Sequence, residues 1–173
     1  MSARQKQLLW ILTVFLCVLC ADQITKAIIL AKIPEPEVVR TLSASPRFFR
    51  FTHQRNPGLV GGMFRDNPLM AFAAPVFASF VLLYLFRHLA PSSRVQSIAY
   101  GLVGGGAVGN LVDRVRLGSV TDFLQFHFYF IPFDFPWKHY PAFNIGDSAI
   151  CTGVFLLILS WHVTPQTDVP DTT

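Results

Sequence analysis

Leu69 to Phe86 carries no charged side chain and reaches the length at which a helix crosses the apolar part of a bilayer, about 17 to 25 residues. Three more apolar runs accompany it. They are Leu8 to Ala21, which continues through Asp22 and Lys26 to Ala31, the Gly-rich Gln96 to Val112, and Ala149 to Val163, extendable back to Ile145. These three reach spanning length only by admitting a polar residue near one end. The pattern predicts a mainly α membrane protein with four transmembrane helices, because a helix in lipid satisfies its own backbone hydrogen bonds. Composition agrees: 14% of the residues are charged, against about 25% in ordinary soluble domains. The net charge of +4 is spread singly between apolar runs, which fits anionic lipid and topology signalling and not a nucleic-acid partner.

The first run has some features of a cleavable leader, with Arg4 and Lys6 ahead of it and Cys17-Val18-Leu19-Cys20 near a lipoprotein cleavage box in form. Leu19 stands where a small residue is wanted, and the chain beyond is again apolar, so the run is expected to stay as a membrane helix. Cys17, Cys20 and Cys151 lie in apolar stretches, and the five histidines are far apart in sequence. Neither a disulfide nor a metal site is expected, and no cofactor. Pro34, Pro36, Pro46 and Pro57 argue against a long helix between the first two runs, whereas Phe48 to His53 reads as a short strand of a small surface sheet. Phe123 to Phe143 is crowded with aromatic residues and is either an interfacial loop at headgroup level or a packed hydrophobic loop. Residues 1–163 are expected to form one membrane domain, and 164–173 a disordered tail. Basic residues concentrate in the longer loops, so a simple count of positive charge leaves the orientation open.

Acidic residues near lipid are costly and therefore point to function. Asp22 precedes Lys26 by one helical turn and can pair with it. Asp113 is a candidate catalytic acid, but the adjacent Arg114 guanidinium would hold it ionised and structural. The same helix carries Gly105 and Gly109, at the spacing that admits a close neighbouring helix, and Asn110 and Arg114 share one of its faces, expected toward that contact. Asp122 and Asp147 have no cationic neighbour in sequence. Asn144 can cap the fourth helix and so places Asp147 at its third position. If the chain folds back, the two carboxylates meet. Two such groups cannot both ionise cheaply, and a pair sharing a proton can activate water against a peptide carbonyl. The helix N-terminus favours the anion on Asp147, which leaves the proton on Asp122. The plain alternative is that both aspartates only cap helices.

The ordered blocks Asp22-Gln23-Ile24-Thr25-Lys26, Asn56-Pro57-Gly58, Gly105 to Arg114, Gly118 to Phe123 and Phe143-Asn144-Ile145-Gly146-Asp147 resemble bacterial lipoprotein signal peptidase, the signal peptidase II family. The resemblance extends from about residue 8 to residue 163. It implies an aspartic endopeptidase of the bacterial inner membrane, with four transmembrane helices, both termini cytoplasmic, and a small extracytoplasmic β-sheet over the active site. It implies cleavage of diacylglyceryl-modified prolipoproteins just before the lipidated cysteine. Asp122 and Asp147 match the catalytic pair. Asn56, Gly58, Asn110, Arg114 and Asn144 match positions that hold substrate or shape the site, and Asp22, with Lys26 and Asp113, is a supporting group.

The chain departs from the family pattern in three places. Gly61-Gly62 falls within a longer spacing before Phe64. Gly146 replaces the usual Ala, which would loosen the helix start by up to about 1 kcal/mol. The loop between the two aspartates is unusually rich in Phe. These departures leave room for altered substrates or inhibitor sensitivity. Two other classes fit the acids and glycines, a proton-coupled transporter and a non-catalytic membrane scaffold. A monomer is expected.

Overall fold

The computed structural model describes residues 1–33, 48–59, 63, 64, 66–85, 93–136 and 138–163. Its elements are α1 (Ala3–Lys32), β1 (Phe49–Asn56), α2 (Pro68–Leu85), α3 (Arg94–Leu117), β2 (Val120–Phe126) and α4 (Ile145–Val163). The expected tail at 164–173, the prolines at 34, 36 and 46, and Gly61-Gly62 lie outside the described residues.

Each helix starts where the local chemistry supplies acceptors for its free N–H groups. Ser2 and Gln5 form a reciprocal capping box on α1, at 3.1 and 2.7 Å. Asn67 caps α2 through Met70 N, with Pro68 following it, a position where proline costs nothing because its missing N–H would be unpaired anyway. Ser93 caps α3 through Gln96 N. α3 stops at Gly118, which adopts φ +72° and donates to Arg114 O, the left-handed cap that glycine adopts without a steric penalty. Both α1 and α3 extend past the apolar runs that announced them, so Asp113 and Arg114 lie inside α3 instead of at its end.

α3 is the central helix, packed against α1, α4 and α2. Gly101, Gly105 and Gly109 recur every fourth residue and meet α1. An added Cβ at Gly101 would come within 2.7 Å of Val14 Cβ, and one at Gly105 within 2.8 Å of Phe15 O, while at Gly109 it would overlap the Asp22 carboxylate. The sequence spacing of Gly105 and Gly109 therefore marked the correct face, and Gly101 lengthens it. Gly106 faces Gly146 of α4 backbone to backbone. Gly146 therefore also serves close approach of the two helices, since an added Cβ there would stand 3.0 Å from Gly106 O.

Polarity runs inside out. Leu12, Leu16, Phe77, Phe80 and Phe155 are exposed, whereas Asp22, Lys26, His53 and Asn144 are buried. Small residues and polar side chains at helix contacts, with apolar side chains outward, are what lipid-solvated bundles show. Among the described residues α1 is the helix long and apolar enough to cross a membrane, and α4 contains a shorter apolar segment, Ile145–Ser160.

The expected strand at Phe48 to His53 is present as β1, shifted toward Asn56. Its partner was not anticipated. Val120 to Phe126 forms β2, antiparallel to β1, pairing Phe49 with Phe126, Gln54 with Asp122 and Asn56 with Val120, with an irregularity between Phe51 and Gln54. The first residues of the aromatic stretch are thus strand and not loop. Rings beyond β2 cluster with Phe48, which lies 5.4 Å from Phe126 of β2 and 6.1 Å from Phe128. His127 and His139, distant in sequence, meet here with their Nδ1 atoms 3.1 Å apart.

Overfilling a tight contact costs about 1–3 kcal/mol. Gly109→Ala should therefore lower the thermal unfolding midpoint in detergent clearly more than Gly104→Ala, whose added methyl meets only the Phe15 ring. Equal effects would show that the Asp22 contact is loose.

Candidate active site

Asp122 sits in the middle of β2, 2% exposed, and Asp147 is the third residue of α4. Asn144, fully buried at the N-cap of α4, connects them. Its Oδ1 accepts from Asp147 N at 2.9 Å, its backbone N donates to Asp147 Oδ2 at 3.2 Å, and its Nδ2 donates to Asp122 Oδ1 at 2.7 Å. The first two bonds are the reciprocal helix cap expected from the spacing of these residues. The third fixes the partner carboxylate with the same amide.

Two more asparagines complete the donors. Asn56, at the end of β1, donates to Asp122 Oδ2 at 3.0 Å and to Leu59 O, while its Oδ1 accepts from Gly58 N. Asn110 of α3 donates to Asp147 Oδ1 at 2.8 Å, and its Oδ1 accepts from Lys26 Nζ at 2.8 Å. In every case the amide oxygen is taken by a group that can only donate, so the NH₂ end must face a carboxylate.

Burial is the main reason that the Asp122 carboxyl is pushed up to about 7. The negative charge of Asp147 adds to it, and the hydrogen bonds from Asn56 and Asn144, with the Lys26 charge, oppose it. Asp122 therefore holds a proton to higher pH than an exposed carboxylate does.

Behind the pair lies a buried charge cluster. Lys26 Nζ is 2.8 Å from Asp22 Oδ2 and 3.2 Å from Asp113 Oδ2. The Asp22–Lys26 pairing expected from helical spacing is thus present. The charge beside Asp113 is not the adjacent Arg114 expected from sequence, because neighbouring residues on a helix point about 100° apart. Asp113 instead faces Lys26 and accepts from Thr121 N at 2.9 Å. Arg114 turns toward the turn after β1 and donates to Gly58 O at 2.6 Å. Its Nε is buried without a partner among the described residues. Asn110 and Arg114 do not both face the glycine contact with α1 either: Arg114 reaches Gly58. Sequence reasoning gave no role to Gln23 alone, yet its Nε2 reaches Asp22, Asp113 and Gly109 O within 3.2 Å. Asp22 also accepts from Gly146 N at 2.9 Å, satisfying an orphan N–H of α4. Only the fold brings these backbone partners into reach. Asp22 and Asp113 hold an ammonium between them, and among the described residues no group of three or more His, Cys, Asp or Glu gathers as metal ligands would.

A membrane-type bundle presenting two buried, amide-held carboxylates on a strand and a helix start has the parts of an aspartic peptidase. The family model described as signal peptidase (SPase) II matches residues 14–163. The lipoprotein signal peptidase of Syntrophotalea carbinolica is 37% identical over 147 residues, covering 83% of this chain and 84% of that protein. That of Shewanella loihica is 38% identical over 172 residues, covering 95% and 92%. A solved structure described as a bacterial membrane enzyme, obtained by the in meso method at 2.3 Å resolution, superposes with a TM-score of 0.73 at 27% identity, covering 92% of this chain and 93% of that one. A second, at 1.9 Å, gives a TM-score of 0.67 at 28% identity, covering 90% and 94%. The chain belongs to the signal peptidase II family, a family of aspartic proteases.

Replacing a cap asparagine by alanine costs about 1 kcal/mol, and leaving a buried carboxylate without its donor costs about 1–3 kcal/mol more. Asn144→Ala should therefore lower unfolding stability by about 2–4 kcal/mol, read by denaturant titration in mixed micelles. A loss below about 0.5 kcal/mol would mean that the bridge contributes little.

Proposed function

We propose that this chain is an intramembrane aspartic endopeptidase that removes signal peptides from diacylglyceryl-modified prolipoproteins, cutting immediately before the lipidated cysteine. The observation that carries the reading is Asn144, which donates to both carboxylates, through its side-chain amide to Asp122 and through its backbone N to Asp147. In this reading Asp122 and Asp147 are the catalytic residues. The Asp147 carboxylate takes a proton from water as its oxygen attacks the scissile carbonyl carbon. The Asp122 carboxyl gives its proton to the carbonyl oxygen, and a neutral tetrahedral diol results. On collapse, Asp147 returns its proton to the departing cysteine nitrogen and Asp122 recovers one from the diol. The C–N bond breaks and both groups end as they began.

Asn56, Asn110 and Asn144 hold the carboxylates in place, and Gly58 and Arg114 frame the substrate side, with Arg114 Nε left as a spare donor. Asp22, Lys26 and Asp113 are the supporting charges. Four helices cross the inner membrane with both termini cytoplasmic, and the two-stranded sheet lies over the extracytoplasmic end. The apolar outer surfaces of α1, α2 and α4 support this placement. The exposed rings of Phe130 and Phe133 suit an aromatic loop lying at headgroup level, and a cleft between helices takes the diacylglyceryl chains. A monomer suffices for this chemistry, because both carboxylates come from one chain.

The reading is tested with purified protein and a lipidated prolipoprotein peptide. Wild type should cleave it, while Asp122→Asn and Asp147→Asn should each fall by at least about 10³-fold, the usual scale for general acid–base groups. Because Asp122 must carry its proton and holds it up to about 7, wild-type cleavage should decline as pH rises through about 7. Retained cleavage by both variants would remove the proposal. Ion flux without cleavage would point to a transporter, and neither activity to a scaffold.

A further inference from the structure

Lys26 does not touch either carboxylate of the pair, yet every hydrogen of its ammonium is engaged. It donates to Asp22 Oδ2 at 2.8 Å, Asn110 Oδ1 at 2.8 Å and Asp113 Oδ2 at 3.2 Å, with 2% of the residue exposed. An ammonium can only donate. Asn110 must therefore turn its oxygen to Lys26, and its NH₂ to Asp147 Oδ1, 2.8 Å away. With the amide reversed, two oxygens would confront each other at Asp147 and the NH₂ would confront the ammonium. Both contacts are repulsive.

The same cluster grips the backbone next to both carboxylates. Asp22 Oδ1 accepts from Gly146 N, the residue before Asp147, at 2.9 Å, and Asp113 Oδ2 accepts from Thr121 N, the residue before Asp122, at 2.9 Å. Asp22 and Lys26 come from α1, Asn110 and Asp113 from α3, Thr121 from β2 and Gly146 from α4. The four elements that set the distance between the pair thus meet on one ammonium and its two counter-charges. Gln23 ties Asp22, Asp113 and the Gly109 carbonyl together from the side.

We infer that Lys26 is a positioning residue for the reaction, acting through Asn110 to fix which face of that amide meets Asp147. The inference deepens the peptidase reading and rests on Asp147 as the base. A donor at Asp147 Oδ1 fixes the carboxylate, whose Oδ2 also accepts from Asn144 N, and a hydrogen bond to a carboxylate favours its charged form. An acceptor there would do the reverse. Asn110 then serves the base before it serves substrate, so its loss should appear in kcat.

The test is a double-mutant cycle on cleavage of a lipidated prolipoprotein peptide, with thermal unfolding recorded for each variant. Asn110→Asp keeps an acceptor for Lys26 but turns an oxygen toward Asp147. Its kcat should fall about 100-fold, the scale of a misplaced catalytic group, with KM within about twofold of wild type. Lys26→Met should lower kcat, and in an Asn110→Ala background it should lower kcat no further. Independent, multiplying losses in that cycle overturn the inference, as does an Asn110→Asp variant that changes KM alone. Lys26→Met strands two buried carboxylates, and if it does not fold the decision rests on Asn110→Asp against Asn110→Ala. A kcat in Asn110→Asp at or below that of Asn110→Ala supports the inference, and a higher one overturns it. Asp147→Asn is assayed beside them. If it stays active the peptidase reading fails, and if it is inactive while Asn110→Asp is not, only the role of Lys26 fails.

Discussion

A side-chain amide has one end that accepts and one that donates, and around this site each asparagine has its accepting end claimed by an obligate donor. Asp147 N claims Asn144, Gly58 N claims Asn56 and the Lys26 ammonium claims Asn110. The donating ends turn to the two aspartates, with Asn56 also reaching Leu59 O. Burying a carboxylate without donors would cost several kcal/mol, so these three amides are what permit Asp122 and Asp147 to sit together away from water. The donors reach unequally placed carboxylates. Asp122 is on a strand flanked by two side-chain amides, and Asp147 is at a helix start, where the backbone itself favours the anion. In the proposed mechanism one acid keeps its proton while the other accepts one, the division that general acid–base chemistry uses.

The glycine-lined contacts of α3 make this arrangement possible. Gly109 leaves room for the Asp22 carboxylate, and Gly106 lets Gly146 come close enough for its N–H to reach Asp22. The Lys26 cluster then carries the position of α1 and α3 to the residues before each aspartate. A buried ion pair contributes little net stability compared with apolar packing, so the value of Asp22, Lys26 and Asp113 lies in the geometry that they impose. The apolar exterior supplies no such direction, since lipid contacts any of these helices equally well.

Much of this was legible in the sequence because the signals are local. The apolar runs, the i, i+4 pairing of Asp22 with Lys26, the glycine spacing on α3 and the Asn144–Asp147 cap each follow from helical geometry over a few residues. The family blocks pointed to Asp122 and Asp147 together, and the fold brings them to one amide. What was missed depends on long-range contact. β2 was hidden because its Val, Thr and Phe residues ran on into an aromatic stretch, and only Gly118, with its left-handed backbone, marked the break. Arg114 was assigned to Asp113 by adjacency, although neighbours on a helix diverge, and it instead holds Gly58 O across the site. Gln23, Thr121 N and Gly146 N gain their partners only when four elements converge.

The division of one proton between two aspartates is most directly measured by infrared difference spectroscopy of the carboxyl C=O stretch, followed against pH in wild type and in Asp122→Asn and Asp147→Asn. Wild type should show a protonated carboxyl band near pH 6 that disappears with a midpoint of about 7, and Asp122→Asn should lack it. A band that persists in Asp122→Asn and vanishes in Asp147→Asn would contradict that division.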